Sequence, residues 1–201
     1  MDILLIATLF ALGYYVLKAR DQGERIALLG RHLGQHHIEK LMENLIDGYL
    51  RALGEADPAR RDQIWSLMPT AEVELCEQFR RFVTDFARVD AAQTRVSRLP
   101  IALPYAARLF PSATFDLRKA LALHAHGIAQ VAANAASRSQ LDKAFMLTAE
   151  LLLMQHTCHW FCRSRAVASA RLLARHKTSW PQVLAAVSPE SRSAYRTLTG
   201  H

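Results

Sequence analysis

The string His156-Thr157-Cys158-His159-Trp160-Phe161-Cys162 holds the densest set of metal-capable side chains in the sequence. On a helix His159 and Cys162 stand three residues apart and Cys158 and Cys162 four apart, so two or three of these groups could share a face and hold a soft ion such as zinc. The spacing is not that of a zinc ribbon, a zinc finger or a haem attachment site. Cysteine is among the most buried residue types, and a Trp-Phe pair lies in the middle of the string. Core packing is therefore the preferred reading. His156, His159 and Cys162 remain secondary metal candidates, and no cofactor is expected.

His32 and His36 are four apart, and Glu39 and Glu43 continue at helical spacing. They would form a metal stripe only on an unbroken helix, and Gly34 argues for a break, which leaves a solvated polar face beside the membrane. His124 lies on an apolar stripe and is expected to be a hydrogen-bonded core histidine. No Gly-rich phosphate loop, nucleophile elbow, HExxH motif or paired-carboxylate constellation is present, so the familiar enzyme signatures are missing and no catalytic residue is assigned.

Arg163, Arg165, Arg171, Arg175 and Lys177 form the densest basic run, followed by Arg192 and Arg196. Residues 1–112 carry 14 basic and 14 acidic side chains, whereas residues 113–201 carry 11 and 4, so the whole excess of +7 is C-terminal. Such a half can face anionic lipid, nucleic acid, an acidic partner or only solvent. Without interleaved aromatic residues or a recognised DNA-binding helix pair, nucleic acid is the weaker target, and anionic lipid is an equally physical one.

The elements that must position these groups are helical. Residues 3–17, ILLIATLFALGYYVL, form an uncharged run closed by Lys18 and Arg20. As a helix it rises roughly 22 Å against a hydrocarbon core of about 30 Å, so Lys18 must snorkel and Tyr14 and Tyr15 should sit near the interface. Asp2 before the run and bulky residues after it do not suit a cleaved signal peptide. Lys18, Arg20, Arg25 and Arg31 follow the run, so the positive-inside rule puts the rest of the chain in the cytoplasm.

Ile26, Leu29 and Leu33 continue a helix out of the membrane, with a break or bend expected after Gly34. Ile38, Leu41, Met42, Leu45, Ile46, Tyr49 and Leu50 follow the spacing of an amphipathic helix that ends near Gly54. Asp57 and Pro58 should open a short helix that stops at Pro69, with Thr70 capping the next and Glu72, Glu74 and Glu77 favouring its N-terminal end. Leu75, Phe79, Phe82, Val83, Phe86 and Val89 form that helix's stripe. Pro100, Pro104 and Pro111 mark an irregular stretch, a soft division near 98–112.

Beyond it, Leu117, Leu121, His124, Ile128, Val131 and Ala135 make a further helical stripe. Ser137 with Gln140 resembles a capping box opening a helix to about His176. Residues 144–162 are apolar on nearly every face, as in a surrounded central helix, and Glu150, Gln155, His156 and His159 argue against a second membrane span there. Two short helices, 179–187 and 189–198, close the chain, and no alternating β run is visible.

Three cysteines, Cys76, Cys158 and Cys162, at spacings that suggest no disulfide framework, read as free thiols in a reducing compartment. The bias of 20 Arg against 5 Lys in an Ala-rich chain fits a GC-rich bacterial source. The expectation is an all-α protein: an N-terminal anchor over 1–20, single-pass in the inner (cytoplasmic) membrane, and a soluble, bundle-like helical domain over 21–201 in the cytoplasm. Its expected role is a binding or scaffold module in a membrane-associated assembly, held to the membrane through residues 3–17 and to one or more protein partners. The alternatives are a tethered nucleic-acid binder, a small metal or redox protein, and an enzyme without a familiar motif.

Overall fold

Nothing between Asp2 and Leu33 interrupts a helix, and the computed structural model, which describes residues 2–200, has one helix there, α1 (Asp2–Leu33). Met1, His201 and the Asp2 side chain lie outside the described residues. Its 32 residues rise about 48 Å. Every residue from 3 to 17 is exposed, Ile3 to 86 % and Phe10 to 77 %. After Lys18 the same helix enters the protein. Gln22 and Leu29 are buried, and Arg25 donates to the carbonyls of Arg95 (3.0 Å) and Phe161 (3.4 Å). This is one helix long and apolar enough to cross a membrane, near the N-terminus.

The expected break after Gly34 is present: the chain turns through 34–37 and α2 (Ile38–Gly54) follows. α2 buries Ile38, Leu41, Met42, Leu45 and Tyr49, most of the face its spacing marked, while Ile46 is half-buried and Leu50, at the rim of that stripe, is exposed. Gly48 lets it approach the next helix, since an added Cβ would lie 2.7 Å from Met68 Sδ.

The next helix corrects an expectation. α3 runs unbroken from Pro58 to Phe86, with Pro69 inside it, so Thr70 is a mid-helix residue and caps nothing. Asp57 does cap the start, accepting from the Ala59 amide at 3.1 Å. Pro69 removes one amide donor, but it sits on the exposed side, while Trp65, Glu72, Leu75 and Phe79 are buried on both sides of it. Tertiary packing holds the helix across the break. Glu72 is not a charge at a helix start but a buried partner, accepting from Tyr49 Oη (2.6 Å) and from the Lys143 ammonium. Burial and that carboxylate push the Tyr49 hydroxyl far up, which keeps it a donor.

The irregular stretch contains a feature with no periodic signal. β1 (Arg95–Ser97) pairs antiparallel with β2 (Thr114–Asp116), Val96 opposite Phe115. Between them lie α4 (Ala106–Leu109) and a 3-10 turn at Pro111–Ala113. Trp160 Nε1 donates to the Ser97 carbonyl at 2.8 Å, tying the ribbon to the core. Asp116 then caps α5 (Leu117–Ala133), accepting from the Arg118 amide at 2.9 Å. Leu117, Leu121, His124, Ile128 and Val131 are buried as the stripe implied, and Ala135 lies past the helix end.

α6 (Gln140–Cys162) is the buried central helix, packed by α5, α7, α8 and α1, and its expected role is the observed one. Its limits differ from the expected ones. The cap is Ser139, accepting from the Asp142 amide at 3.1 Å, while Ser137 is a loop residue at φ 51°. The helix also stops at Cys162 and does not reach His176. Ser164 caps a separate α7 (Arg165–His176), which the intervening turn lets fold back to bury Ala168 and Leu172. α8 (Trp180–Ala186) and α9 (Pro189–Thr199), the latter capped by Ser188, close the chain. The class is all-α, with nine helices and two three-residue strands among the described residues.

If packing holds α3 across Pro69, replacing it restores an amide donor without removing a core contact. Pro69→Ala should raise stability by about 1 to 3 kcal/mol in denaturant titrations of the detergent-solubilised protein. A loss of stability would mean that the packing of Trp65 requires the proline.

Candidate functional site

The second half of α1, α2, and the C-terminal parts of α6 and α7 do not close against one another. They leave an open cavity of about 730 Å³, within the size range of ligand and peptide sites. Leu29, Leu33, Ile38, Met42, Met154 and Cys158 are its apolar surface. One wall carries Glu39, Glu43 and Asp47 of α2, spaced so that one turn separates each from the next. The facing wall carries Arg163, Arg171 and Arg175. A single ion pair spans the walls, Arg175 to Glu43 at 3.8 Å, with both side chains 64 % exposed. Such a pair is worth little. Among the described residues Glu39, Asp47 and Arg171 make no ion pair.

The histidine–cysteine string is divided by this geometry. His159 and Cys162 reach the groove with Cys158, whereas His156 is turned toward α7 and α8, with Nε2 3.0 Å from Ser169 Oγ and its ring beside Trp160 and Trp180. Burial pushes the Cys158 thiol far up, and it pushes Cys162 to about 11 against the pull of Arg25, Arg163 and Arg171. Both stay protonated at neutral pH, which does not suit a nucleophile. Burial first, then the Arg171 and Arg175 cations, pull His159 down, so it presents a neutral ring. All three cysteines are free. Among the described residues no group of three or more His, Cys, Asp or Glu is placed to hold a metal ion.

The basic run is also divided. Arg163, Arg171 and Arg175 line the groove, Arg163 donating to Gln22 of α1. Arg165 instead lies over the Trp160 ring at 5.7 Å, and Lys177 ends α7 in a left-handed turn with Nζ on the Ala174 carbonyl. The turn after α1 splits the other stripe. His32 packs edge-on to Phe86 and His36 sits by Gln78 and Asp85, while Glu39 and Glu43 face the groove. The acidic wall was not anticipated. Its one-turn spacing was visible in the sequence, but the arginine wall opposite comes from helices more than a hundred residues away.

His124 belongs to a second, fully buried polar group. Thr157 Oγ1 donates to the Leu153 carbonyl at 2.9 Å and so has no proton left. His124 Nε2 (2.9 Å) and Tyr195 Oη (3.1 Å) must therefore both donate to it. This fixes His124 as the Nε2–H tautomer and leaves Nδ1 without a partner among the described residues. It is a core histidine, as its stripe implied. Gly127, one turn on, is needed where α5 meets α6 and α9, since a Cβ there would lie 2.3 Å from Ser191 Oγ and 2.8 Å from Glu150 Oε2.

Burial pulls both His124 and His156 down to about 3, against 6.5 in the unfolded chain. Between those values the unfolded chain holds protons that the folded one does not. Stability is thus full above about pH 6.5 and falls as the pH drops, by at most about 1.4 kcal/mol per pH unit for each group. Buried Glu150, raised by desolvation, works in the opposite sense above pH 4.5. His124→Gln, which keeps a donor for Thr157, should reduce the slope of stability between about pH 6.5 and 5 by close to one proton's worth. An unchanged slope would contradict the assignment.

No known protein family, curated protein or solved structure matches this chain.

Proposed function

We propose that this chain is a single-pass protein of a bacterial inner (cytoplasmic) membrane, with its helical domain in the cytoplasm. It acts as a binding or scaffold module of a membrane-associated assembly, and the groove takes an amphipathic helix of a protein partner. The observation that carries this reading is that the two halves of one helix differ in their surroundings. Residues 3–17 of α1 are apolar and exposed on every side, while Leu29 and Leu33 of the same helix line the groove. The start of the groove at Ile26 lies nine residues past Leu17, roughly 14 Å along the helix, within reach of a partner's juxtamembrane segment. Lys18, Arg20, Arg25 and Arg31 support the orientation.

Opposed acidic and basic walls flanking an apolar floor favour a helix with an apolar stripe between charges of both signs, and they select one direction of binding over the reverse. Nucleic acid fits the groove less well, because Glu39, Glu43 and Asp47 would face its phosphates.

Carbonate washing should leave the protein in the membrane pellet, and a C-terminal tag should resist protease in intact cells. Full-length protein in the carbonate supernatant would refute the anchor, and a digested tag would reverse the topology.

A photo-crosslinking residue at exposed Leu50, on the groove wall, should capture a protein in cells. Combining it with Arg171→Glu and Arg175→Glu should abolish that capture in a salt-dependent manner with the fold intact, since surface changes usually alter stability by less than about 0.5 kcal/mol. Capture that the reversal leaves unchanged, or capture of lipid alone, would refute this use of the groove.

A further inference from the structure

The loop between the two strands, residues 98–113, does not lie over the body of the domain alone. It runs beside α1 at the level where the exposed apolar run ends. Tyr14 Oη donates to the Ala102 carbonyl at 2.7 Å, and Asp21 accepts from the Tyr105 amide at 3.3 Å. These two contacts place the loop along seven residues of α1, roughly 10 Å, from inside the apolar run to just past it. That length is enough to span the headgroup and interfacial layer on one side of a bilayer, about 5 to 8 Å. Tyr14 is 43 % exposed while its neighbour Tyr15 is 68 % exposed, as expected if the loop covers one side of the helix there.

The loop's composition suits that layer. Ile101 (65 % exposed), Leu109 (62 %) and Phe110 (47 %) leave apolar surface uncovered on one short segment. Its backbone is largely satisfied internally. Pro100, Pro104 and Pro111 have no amide proton, and the amides of Leu103, Ala106, Arg108, Leu109 and Phe110 all donate to carbonyls within the loop. Each such bond lowers the cost of placing irregular backbone in a water-poor layer. Arg108, exposed and with its guanidinium 5.2 Å from the Tyr105 ring centre, supplies a cation for lipid phosphates beside the apolar tips.

We propose that residues 100–111 form a second membrane contact, a foot that inserts Ile101, Leu109 and Phe110 into the headgroup–acyl boundary of the bilayer that α1 crosses. The occupant of this apolar surface is lipid. It is argued from the loop's bond to Tyr14 within the apolar run, and it rests on the reading of α1 as a span. The foot and the span together give the domain a fixed tilt on the membrane, and that tilt sets which way the groove faces.

The test uses the full-length protein in vesicles of phosphatidylglycerol and brominated phosphatidylcholine. Phe110→Trp and, separately, Ile101→Trp report on the foot, and Phe10→Trp reports on the middle of the span. The parent, with its native Trp65, Trp160 and Trp180, sets the background. The expected result is loss of the Phe110→Trp and Ile101→Trp fluorescence to lipid brominated near the headgroup end of the acyl chain, and loss of the Phe10→Trp fluorescence to lipid brominated near the chain's methyl end. Quenching at Phe10→Trp with none at either loop position would overturn the foot and leave the span standing. No quenching at any of the three would overturn both.

Discussion

The Arg25 guanidinium joins the two halves of this molecule. It donates to the Phe161 carbonyl, at the end of the central helix, and to the Arg95 carbonyl at the start of the strand ribbon, with Asp21 beside it at 3.2 Å. Phe161 offers one of the last carbonyls of α6, which have no partner within the helix and carry its negative dipole end. A cation held there is worth more than a surface ion pair, because Arg25 and Asp21 are both mostly buried, 16 % and 14 % exposed. Through this contact a helix whose first half is exposed, touched only by the 98–113 loop at Tyr14, becomes in its second half a wall of the domain.

Much of the remaining architecture follows from that junction. α6 can be apolar on nearly every side because α1 closes the side that α5, α7 and α8 leave open. α2 turns back after Gly34 and leans against the same helix end, and the space it fails to fill is the groove. Arg163, immediately after α6, donates to Gln22 of α1 and stands at the groove's edge, so the turn that ends the central helix also positions the first of the basic wall. The exposed apolar half of α1 and the groove thus meet on one short stretch of the same helix and cannot move independently.

Continuous patterns were legible in the sequence. The uncharged run, the bend at Gly34, the buried face of α2, the stripe through His124 and the surrounded nature of α6 are periodic signals longer than any single turn. Caps marked by a following proline, at Asp57 and Ser188, were legible too, but other features decided by one or two side chains were not. Pro69 looked like a stop because its local cost is fixed, whereas the packing on either side that outweighs it is long-range. Ser137 and Ser139 are equivalent as capping letters, and the left-handed backbone at Ser137 decides between them. α6 ends at Cys162 and Ser164 caps a new helix, but no Gly or Pro marks the junction, so the sequence reads through it. The strands are three residues each, too short for alternation to register. At the site, residue types were legible and their grouping was not. Histidines and cysteines three and four apart suggested one cluster, but the neighbours of α6 divide them, and the acidic wall acquires its meaning only from arginines on other helices.

Amide hydrogen exchange on the full-length protein in lipid nanodiscs tests the central claim, that one continuous helix passes from bilayer to protein. Residues 7–17 are exposed, with only Tyr14 bonded to the 98–113 loop, so beyond their own helical bonds their amides depend on lipid for protection. If the account is right, they exchange as slowly as those of α6, the protection continues without a gap through Leu33, and the turn at 34–37 exchanges fast between two protected segments. Rapid exchange over 7–17, at the rate of an exposed, fraying helix, would show that this half of α1 does not lie in a membrane and would contradict the account.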